Sequence, residues 1–160
     1  MRRGLAGLVA AGCLLASAGC GGNAHQGDAR QVDREWVDNT AGVIDQLQRD
    51  LVLGSATGDS LPAARKALRS GLYTLLVAYT DFGGCRHMVA SAGLAPERFA
   101  KVTRPLRVAC SRLERAAALF TRAASDDDAP ALVEAERLAT SAAPLLVRAR
   151  EELQAAATTR

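Results

Sequence analysis

Residues that most often carry catalysis are scarce in this chain. Its 160 residues include only two histidines, His25 and His87. The sequence contains no GxSxG, no HExxH and no phosphate-cradling glycine loop, which are signatures of an activated serine, a catalytic zinc and a nucleotide site. An enzyme must bring a base, a nucleophile and an orienting group together. We therefore expect a protein that is not an enzyme, with an unrecognised enzyme as the alternative.

Strand patterns and long apolar runs are also missing. No segment alternates apolar and polar residues with a period of two over a useful length, so no β-sheet is predicted. No repeat of solenoid length occurs either. After residue 19, no stretch reaches the roughly 18 apolar residues that a membrane-spanning helix needs. Any attachment to a membrane must therefore come from something other than a spanning helix.

Residues 1–19 have the layout of an export signal. Arg2 and Arg3 form a positive start, residues 5–16 form a short apolar stretch, and small residues lead up to Cys20. A segment of this kind is too short and wrongly flanked to be a spanning helix. The stretch Ser17-Ala18-Gly19-Cys20 resembles the lipobox of bacterial lipoproteins, although leucine is usual where Ser17 stands. In that family the cysteine is diacylated and becomes the first residue of the mature chain.

The resemblance implies an exported protein that is held by lipid at the extracytoplasmic face of the cell membrane. A diacyl anchor with a further acyl chain is sufficient for stable attachment. Cys13 also follows small residues and is an alternative acylation site, but its use would leave Leu14 and Leu15 outside the anchor. We expect acylation at Cys20, because residues 20–31, which begin with this cysteine, have the polar, glycine-rich composition of a flexible tether. An ordinary secreted protein with a chance cysteine is the alternative.

The basic charge of the chain belongs largely to its export segment. The formal net charge is +3, and removal of residues 1–19 takes Arg2 and Arg3 away, leaving 18 basic against 17 acidic residues. This balance gives no support for nucleic-acid binding. The chain is rich in alanine, and lysine occurs only at Lys66 and Lys101. That bias is similar to proteins of GC-rich bacteria such as actinobacteria.

Four segments between residues 32 and 160 have apolar residues at alternating steps of three and four, which is typical of amphipathic helices. The positions are Val37, Thr40, Ile44, Leu47 and Leu51, with Trp36 beside them; Leu61, Arg65, Leu68, Leu72, Leu75, Tyr79 and Phe82, with Arg65 the one polar exception in that segment; Phe99, Val102, Leu106, Ala109, Leu113, Ala116 and Phe120; and Leu132, Ala135, Ala139, Ala142, Leu146, Ala149 and Leu153. With short connections, the pattern predicts one all-α domain, a four-helix bundle.

Polar residues and prolines mark the ends of these helices. Asp33 and Ser60 are predicted caps for the first two helices. The acidic residues 126–128 fit the positive N-terminal end of the fourth helix better than a metal site, because calcium loops space their carboxylates alternately. Pro105 and Pro144 lie inside the third and fourth patterns, so kinks are expected at both.

The stretch DFGGCRHM at residues 81–88 concentrates unusual residue types. An Asp-Phe-Gly also occurs in protein kinases, but their glycine-rich loop, strand lysine and catalytic loop are absent here. Cys85, His87 and Met88, with Cys110, could bind copper or haem through sulfur and imidazole. Their spacing matches no common zinc pattern, so a metal- or haem-binding bundle is kept only as an alternative, and no cofactor is expected.

A disulfide explains the cysteines more simply. In an oxidising compartment, with Cys20 acylated, Cys85 and Cys110 are the natural pair. Their Cα atoms must then lie within about 7 Å. This requires either a break at Pro105, with Thr103 capping a new helix after a short separate one, or a second helix that continues past Gly83-Gly84. With the break at Pro105, residues 86–102 form a short helical excursion between helices two and three.

Together these features predict a non-catalytic envelope lipoprotein that binds a partner protein or a small apolar ligand. The excursion is the least bundle-like part of the domain, and its candidate binding residues are Arg86, His87, Arg98 and Lys101. The interior distinguishes the two classes of partner. A sizeable apolar cavity favours a small ligand, whereas a filled core favours a protein.

Overall fold

The computed structural model describes residues 24–57, 60–70 and 73–158. This part of the chain is all-helical and contains no strand, which confirms the all-α prediction. The elements in chain order are α1 (Ala24–Thr57), α2 (Leu61–Ser70), α3 (Tyr73–Gly83), α4 (Cys85–Ser91), a 3₁₀ helix (Glu97–Phe99), α5 (Ala100–Asp126) and α6 (Ala129–Thr158).

The first helix begins earlier than the sequence suggests. α1 starts at Ala24, so residues 24–31, which were expected to belong to the tether, are helical. Asp33 therefore lies inside the helix, and the prediction that it is a cap is wrong. Its carboxylate is buried and forms an ion pair with Arg98, which precedes α5. A distant cation thus stabilises this side chain, and local capping does not.

The second apolar pattern corresponds to two helices, α2 and α3, rather than to one. Ser60 caps α2 as predicted, because the backbone N–H of Ala63 donates to its hydroxyl oxygen at 3.4 Å. Arg65, the polar exception in the pattern, forms an ion pair with Asp127 at the end of α5. Tyr79 and Phe82 on α3 are buried as the pattern requires.

The third and fourth patterns are confirmed position by position. The seven predicted core residues of each are buried. Those of the fourth pattern lie in α6, and those of the third lie in α5 except for Phe99, which ends the 3₁₀ helix directly before it. Among the described elements, α5 and α6 contact each other most extensively. α5 is continuous through Pro105 and α6 through Pro144. The break at Pro105, one of the two routes considered for the disulfide, is therefore not present. Thr103 lies in the first turn of α5, where its hydroxyl donates to the carbonyl of Ala100.

The acidic cluster between α5 and α6 closes one helix and opens the next. Asp127 has φ of 63° and ends α5 in the left-handed conformation, which aspartate tolerates better than most residues. Asp128 accepts a hydrogen bond from the backbone N–H of Ala131 at 3.0 Å, and this confirms its capping role at α6. Arg122 pairs with the same carboxylate at 2.6 Å.

The helices pack in a definite order. α1 contacts α3 and α6, α3 contacts α5, and α5 contacts α6, while α2 lies against α5 and α3. The largest fully buried side chains include three phenylalanines, Phe82, Phe99 and Phe120. Among the helices described, none combines the length and the apolar composition that a membrane crossing needs.

Candidate functional site

The cysteine of the DFGGCRHM stretch, Cys85, is joined to Cys110 of α5. Cys85 and Cys110 form a disulfide with a Cα–Cα distance of 5.2 Å, as predicted, and both residues are buried. The geometry follows the second of the two routes considered above. The N–H of Gly84 donates to the carbonyls of Thr80 and Asp81, and its own carbonyl accepts from Met88. α4 therefore follows α3 almost without interruption and brings Cys85 to the side of α5.

The four residues predicted to form a binding surface do not come together. Arg86 is paired with Glu114 on α5, and its backbone N–H also donates to that carboxylate at 3.1 Å. The guanidinium holds the pKa of Glu114 below its ordinary value. Lys101 precedes Glu114 by 13 residues on the same helix, a distance of about 20 Å along the axis. Arg86 and Lys101 therefore lie far apart.

Arg98 has a structural role. Its guanidinium pairs with Asp33 on α1 and lies 4.9 Å from the ring centroid of Phe99. Phe99 in turn stacks on Trp36 with 4.6 Å between ring centroids. These contacts fasten the start of α5 to α1. His87 is exposed, with no partner that would mark it as a ligand-binding group in the described residues.

The structure brings no metal site together in the part that it describes. Within residues 24–57, 60–70 and 73–158, no three or more His, Cys, Asp or Glu side chains are grouped so as to hold a metal ion. Cys85 is bonded to Cys110, and Met88 packs against the core. Cys20, the predicted lipid attachment site, and Cys13 lie outside the described residues.

A cleft between α1, α3 and α6 is the best candidate site. It has a volume of about 430 Å³, within the range of small-molecule sites. The described residues that line it are Leu51, Val52, Gly54, Tyr79, Phe82, Glu136, Ala139, Thr140 and Ala143. Most are apolar, and three are glycine or alanine, which leave the space that larger side chains would fill. The cleft lies outside DFGGCRHM except for Phe82, so the sequence-based search did not find it.

Two aromatic rings form one wall of the cleft. Tyr79 meets Phe82 edge to face, with 5.3 Å between ring centroids, and stacks on Phe120 at 3.9 Å. Gly54 lies against both rings, since a Cβ at this position would be 3.7 Å from the Tyr79 side chain and 3.8 Å from the Phe82 side chain. Burial, followed by the charge of Glu136, raises the pKa of Tyr79 to about 12. The phenol is therefore neutral at any physiological pH.

A pair of carboxyl groups lies next to the cleft at the interface of α1 and α3. Asp50 precedes Leu51 and is 1% exposed, and it is within hydrogen-bond reach of Asp81, which precedes Phe82. Gln46 donates to both oxygens of Asp50, at 3.0 and 3.2 Å. Burial, then the contact with Asp81, raises the pKa of Asp50 to about 6. This buried acid was not foreseen, because local apolar spacing carries no signal for it.

Comparison with known proteins does not assign the site. The chain matches no protein-family model, no curated protein and no solved structure. What the protein does must therefore be argued from its residues and their geometry.

Proposed function

We propose that the protein is a non-catalytic lipoprotein of the cell envelope, anchored through lipid at Cys20, whose helical domain binds a small apolar ligand in the cleft between α1, α3 and α6. The observation that carries this proposal is the cleft itself. Its volume is about 430 Å³, and alanine, leucine, valine and two aromatic residues make up most of its described lining. A cavity of this kind favours a small ligand over a protein partner.

The arrangement of helices supports a four-helix bundle as the scaffold. α1 contacts α3, α3 contacts α5, α5 contacts α6, and α6 contacts α1. Four helices in such a closed order form a bundle, and sites between helices are common in bundles. We place α2 against one side of this bundle. We regard α4 and the 3₁₀ helix as the excursion that the disulfide fastens.

Filling the cleft should abolish binding of a neutral apolar probe. Ala143 is half-buried and lines the cleft, so Ala143→Leu would occupy space that a ligand needs. We expect 4-phenylbutanol to bind the mature protein in lipid nanodiscs, and the variant to bind it about tenfold more weakly, a change equal to 1.4 kcal/mol. Ligand-observed NMR or calorimetry measures this, with nanodiscs that contain no protein correcting for uptake by lipid.

Ala155→Leu is the matched control. Ala155 is an exposed residue of the same helix, 12 residues beyond Ala143, which is about 18 Å along the axis. This variant should bind the alcohol as the unmodified protein does. Equal binding by all three proteins, or no binding by any of them, would contradict the proposed function.

Anchoring has a separate test. Export signals that end in a lipobox lead to a diacylated cysteine, and we expect the mature protein extracted from membranes to begin at Cys20 with a lipid mass added. Cys20→Ala should prevent this maturation. Intact-mass spectrometry of the membrane and medium fractions measures both results. Recovery of an unmodified chain with another N-terminus from the medium would count against the lipoprotein assignment.

A further inference from the structure

The first half of α5 presents a basic face to solvent, made of Lys101, Arg104 and Arg107. All three side chains are exposed, and so is that of Val108 beside them. These positions are three and four residues apart, so they lie along one side of the helix. Residues 98–113 contain no aspartate or glutamate. The basic face therefore has no acidic side chain within its own stretch of helix.

The charges of the basic face are not neutralised by the part of the protein that the structure describes. The ion pairs found there use other arginines, and none of them includes Lys101, Arg104 or Arg107. Glu151 and Glu152, in the last third of the neighbouring α6, form no ion pair with these residues either. Three positive charges thus remain for an external anion.

An exposed leucine precedes the basic face. Leu94 is 96% exposed and lies in the connection between α4 and the 3₁₀ helix that leads into α5. Gly93 turns the chain here with φ of 101°, and a Cβ on it would be 4.0 Å from Trp36. The ion pair of Arg98 with Asp33 holds the other end of the connection against α1. Leu94 therefore projects into solvent from a segment that is held at both ends.

This connection lies near the start of α1. Asp33, the partner of Arg98, is nine residues from Ala24, where α1 begins, and nine residues of helix are about 14 Å long. Cys20 precedes Ala24 by four residues, which span at most about 14 Å of chain. A lipid anchor at Cys20 would thus keep Leu94 and the basic face within reach of the membrane surface.

We propose that the start of α5 is a membrane-contacting surface, on which the basic face binds the phosphate groups of anionic phospholipids while Leu94 enters the boundary between headgroups and acyl chains. Ammonium and guanidinium groups make charge-assisted hydrogen bonds to phosphate. Burial of Leu94 in lipid is favourable, whereas a nucleic-acid backbone offers it no apolar partner. This inference goes beyond the proposed function, because it concerns a surface other than the cleft and applies to the chain with or without lipid at Cys20.

The test measures how the full mature chain, prepared without lipid and with Cys20→Ser, partitions onto vesicles. The vesicles contain two parts phosphatidylcholine to one part phosphatidylglycerol, or phosphatidylcholine alone, and co-sedimentation gives the partition coefficients. We expect binding to the anionic vesicles to be about 100-fold stronger, since each basic residue at such a surface contributes about fivefold. Raising the salt concentration from about 50 mM to 500 mM should remove most of this preference by screening the charges.

Two variants separate the contributions of charge and of the leucine. The triple variant Lys101→Gln/Arg104→Gln/Arg107→Gln should lose nearly all of the preference for anionic vesicles. Leu94→Ser should instead weaken binding to both kinds of vesicle by about fivefold, because it removes apolar burial and no charge. Circular dichroism checks that each variant retains its helix content. A triple variant that folds and keeps the preference would overturn the proposal.

Arg69→Gln/Arg122→Gln/Arg137→Gln is the matched control. It removes the same three charges from exposed positions on α2, on the last part of α5 and on α6. Arg122 lies 15 residues beyond Arg107 on α5, which is about 22 Å along the axis. This variant should keep the preference for anionic vesicles. Equal losses in the two triple variants would show that net charge alone drives binding, and that no particular surface is responsible.

The two lysines of the chain report which side of the protein meets the lipid. Lys101 belongs to the basic face, and Lys66 is exposed on α2. With anionic vesicles present, acetic anhydride should modify Lys101 several-fold more slowly and Lys66 at an unchanged rate, as peptide mass spectrometry measures. Equal rates at Lys101 with and without vesicles would refute the inference. Binding to a DNA duplex as tight as that to the anionic vesicles would also refute it, since the surface would then recognise any polyanion.

Discussion

Reduction of the Cys85–Cys110 disulfide is expected to lower the free energy of unfolding by about 3.5 kcal/mol. The bridge joins residues 25 positions apart, and the figure is the loop-closure entropy that an intact bridge removes from the unfolded chain. Because both cysteines are buried, the bridge also fastens α4 to the side of α5. The contacts of α1 with α3, α3 with α5, α5 with α6 and α6 with α1 do not depend on the bridge. The helix content should therefore change little on reduction.

Denaturant unfolding of the oxidised and the reduced protein measures this effect, since both forms contain the same atoms in the core except for the bond and two protons. Hydrogen exchange should show the first loss of protection in residues 86–102, which are part of the segment between the two cysteines. The double variant Cys85→Ala/Cys110→Ala, under oxidising conditions, controls for effects of the reductant. A change of less than about 1 kcal/mol on reduction, or a uniform loss of protection, would show that the bridge is not a structural clamp.

Asp50→Asn is expected to stabilise the protein at neutral pH. The folded protein raises the pKa of Asp50 from 3.8 to about 6, so between these values the folded state binds more protons than the unfolded state. Stability therefore falls as pH rises through this window, and the penalty is complete above pH 6. Two pKa units correspond to at most about 3 kcal/mol. An asparagine avoids this cost, because its carbonyl can accept from Gln46 and its amide can donate to Asp81.

The comparison is made by urea unfolding at several values of pH between 4.5 and 7.5. The variant should be more stable than the unmodified protein by about 1–3 kcal/mol at pH 7.5, and the difference should shrink as the pH falls toward 4.5. Asp38→Asn is the matched control, because Asp38 is exposed on the same helix, and it should have little effect. An Asp50→Asn variant that is less stable at pH 7.5, or whose advantage does not vary with pH, would refute this account.

Several features of the fold could be predicted because they depend on a local repeat of apolar residues, on a local capping side chain, or on a pairing with few possible partners. The cores of α5 and α6 follow from apolar residues at steps of three and four, since an amphipathic helix must bury that face. The caps at Ser60 and Asp128 follow from side-chain oxygens that suit free backbone N–H groups. The pairing of Cys85 with Cys110 was predicted from the expectation that the chain is exported and acylated at Cys20, which would leave these two thiols to join.

Other features depend on partners that are distant in sequence. The position of Asp33 inside α1 depends on Arg98, 65 residues later, and no local pattern contains that information. The contact between Asp50 and Asp81 likewise depends on how α1 meets α3. Arg65 looked like an interruption of an apolar face, whereas it pairs with Asp127.

The cleft combines residues from three separate helices, so the sequence could not show that they meet. A weak signal was present in small residues at core-facing positions near a large aromatic residue. Gly54 on α1 and Ala139 on α6 leave the space beside Tyr79. Small residues can equally allow helices to approach closely, and only the packed structure separates the two cases.

The length of α1 determines how a ligand would reach the cleft. Asp33, near the end of the helix that follows the proposed lipid anchor, and Leu51, at the cleft, are 18 residues apart on α1, which is about 27 Å. With the lipid anchor that we propose at Cys20, this length of α1 would separate the point of attachment from the cleft. On that proposal we expect a ligand to enter from the aqueous compartment outside the membrane, with an exchange rate that depends on its concentration in water.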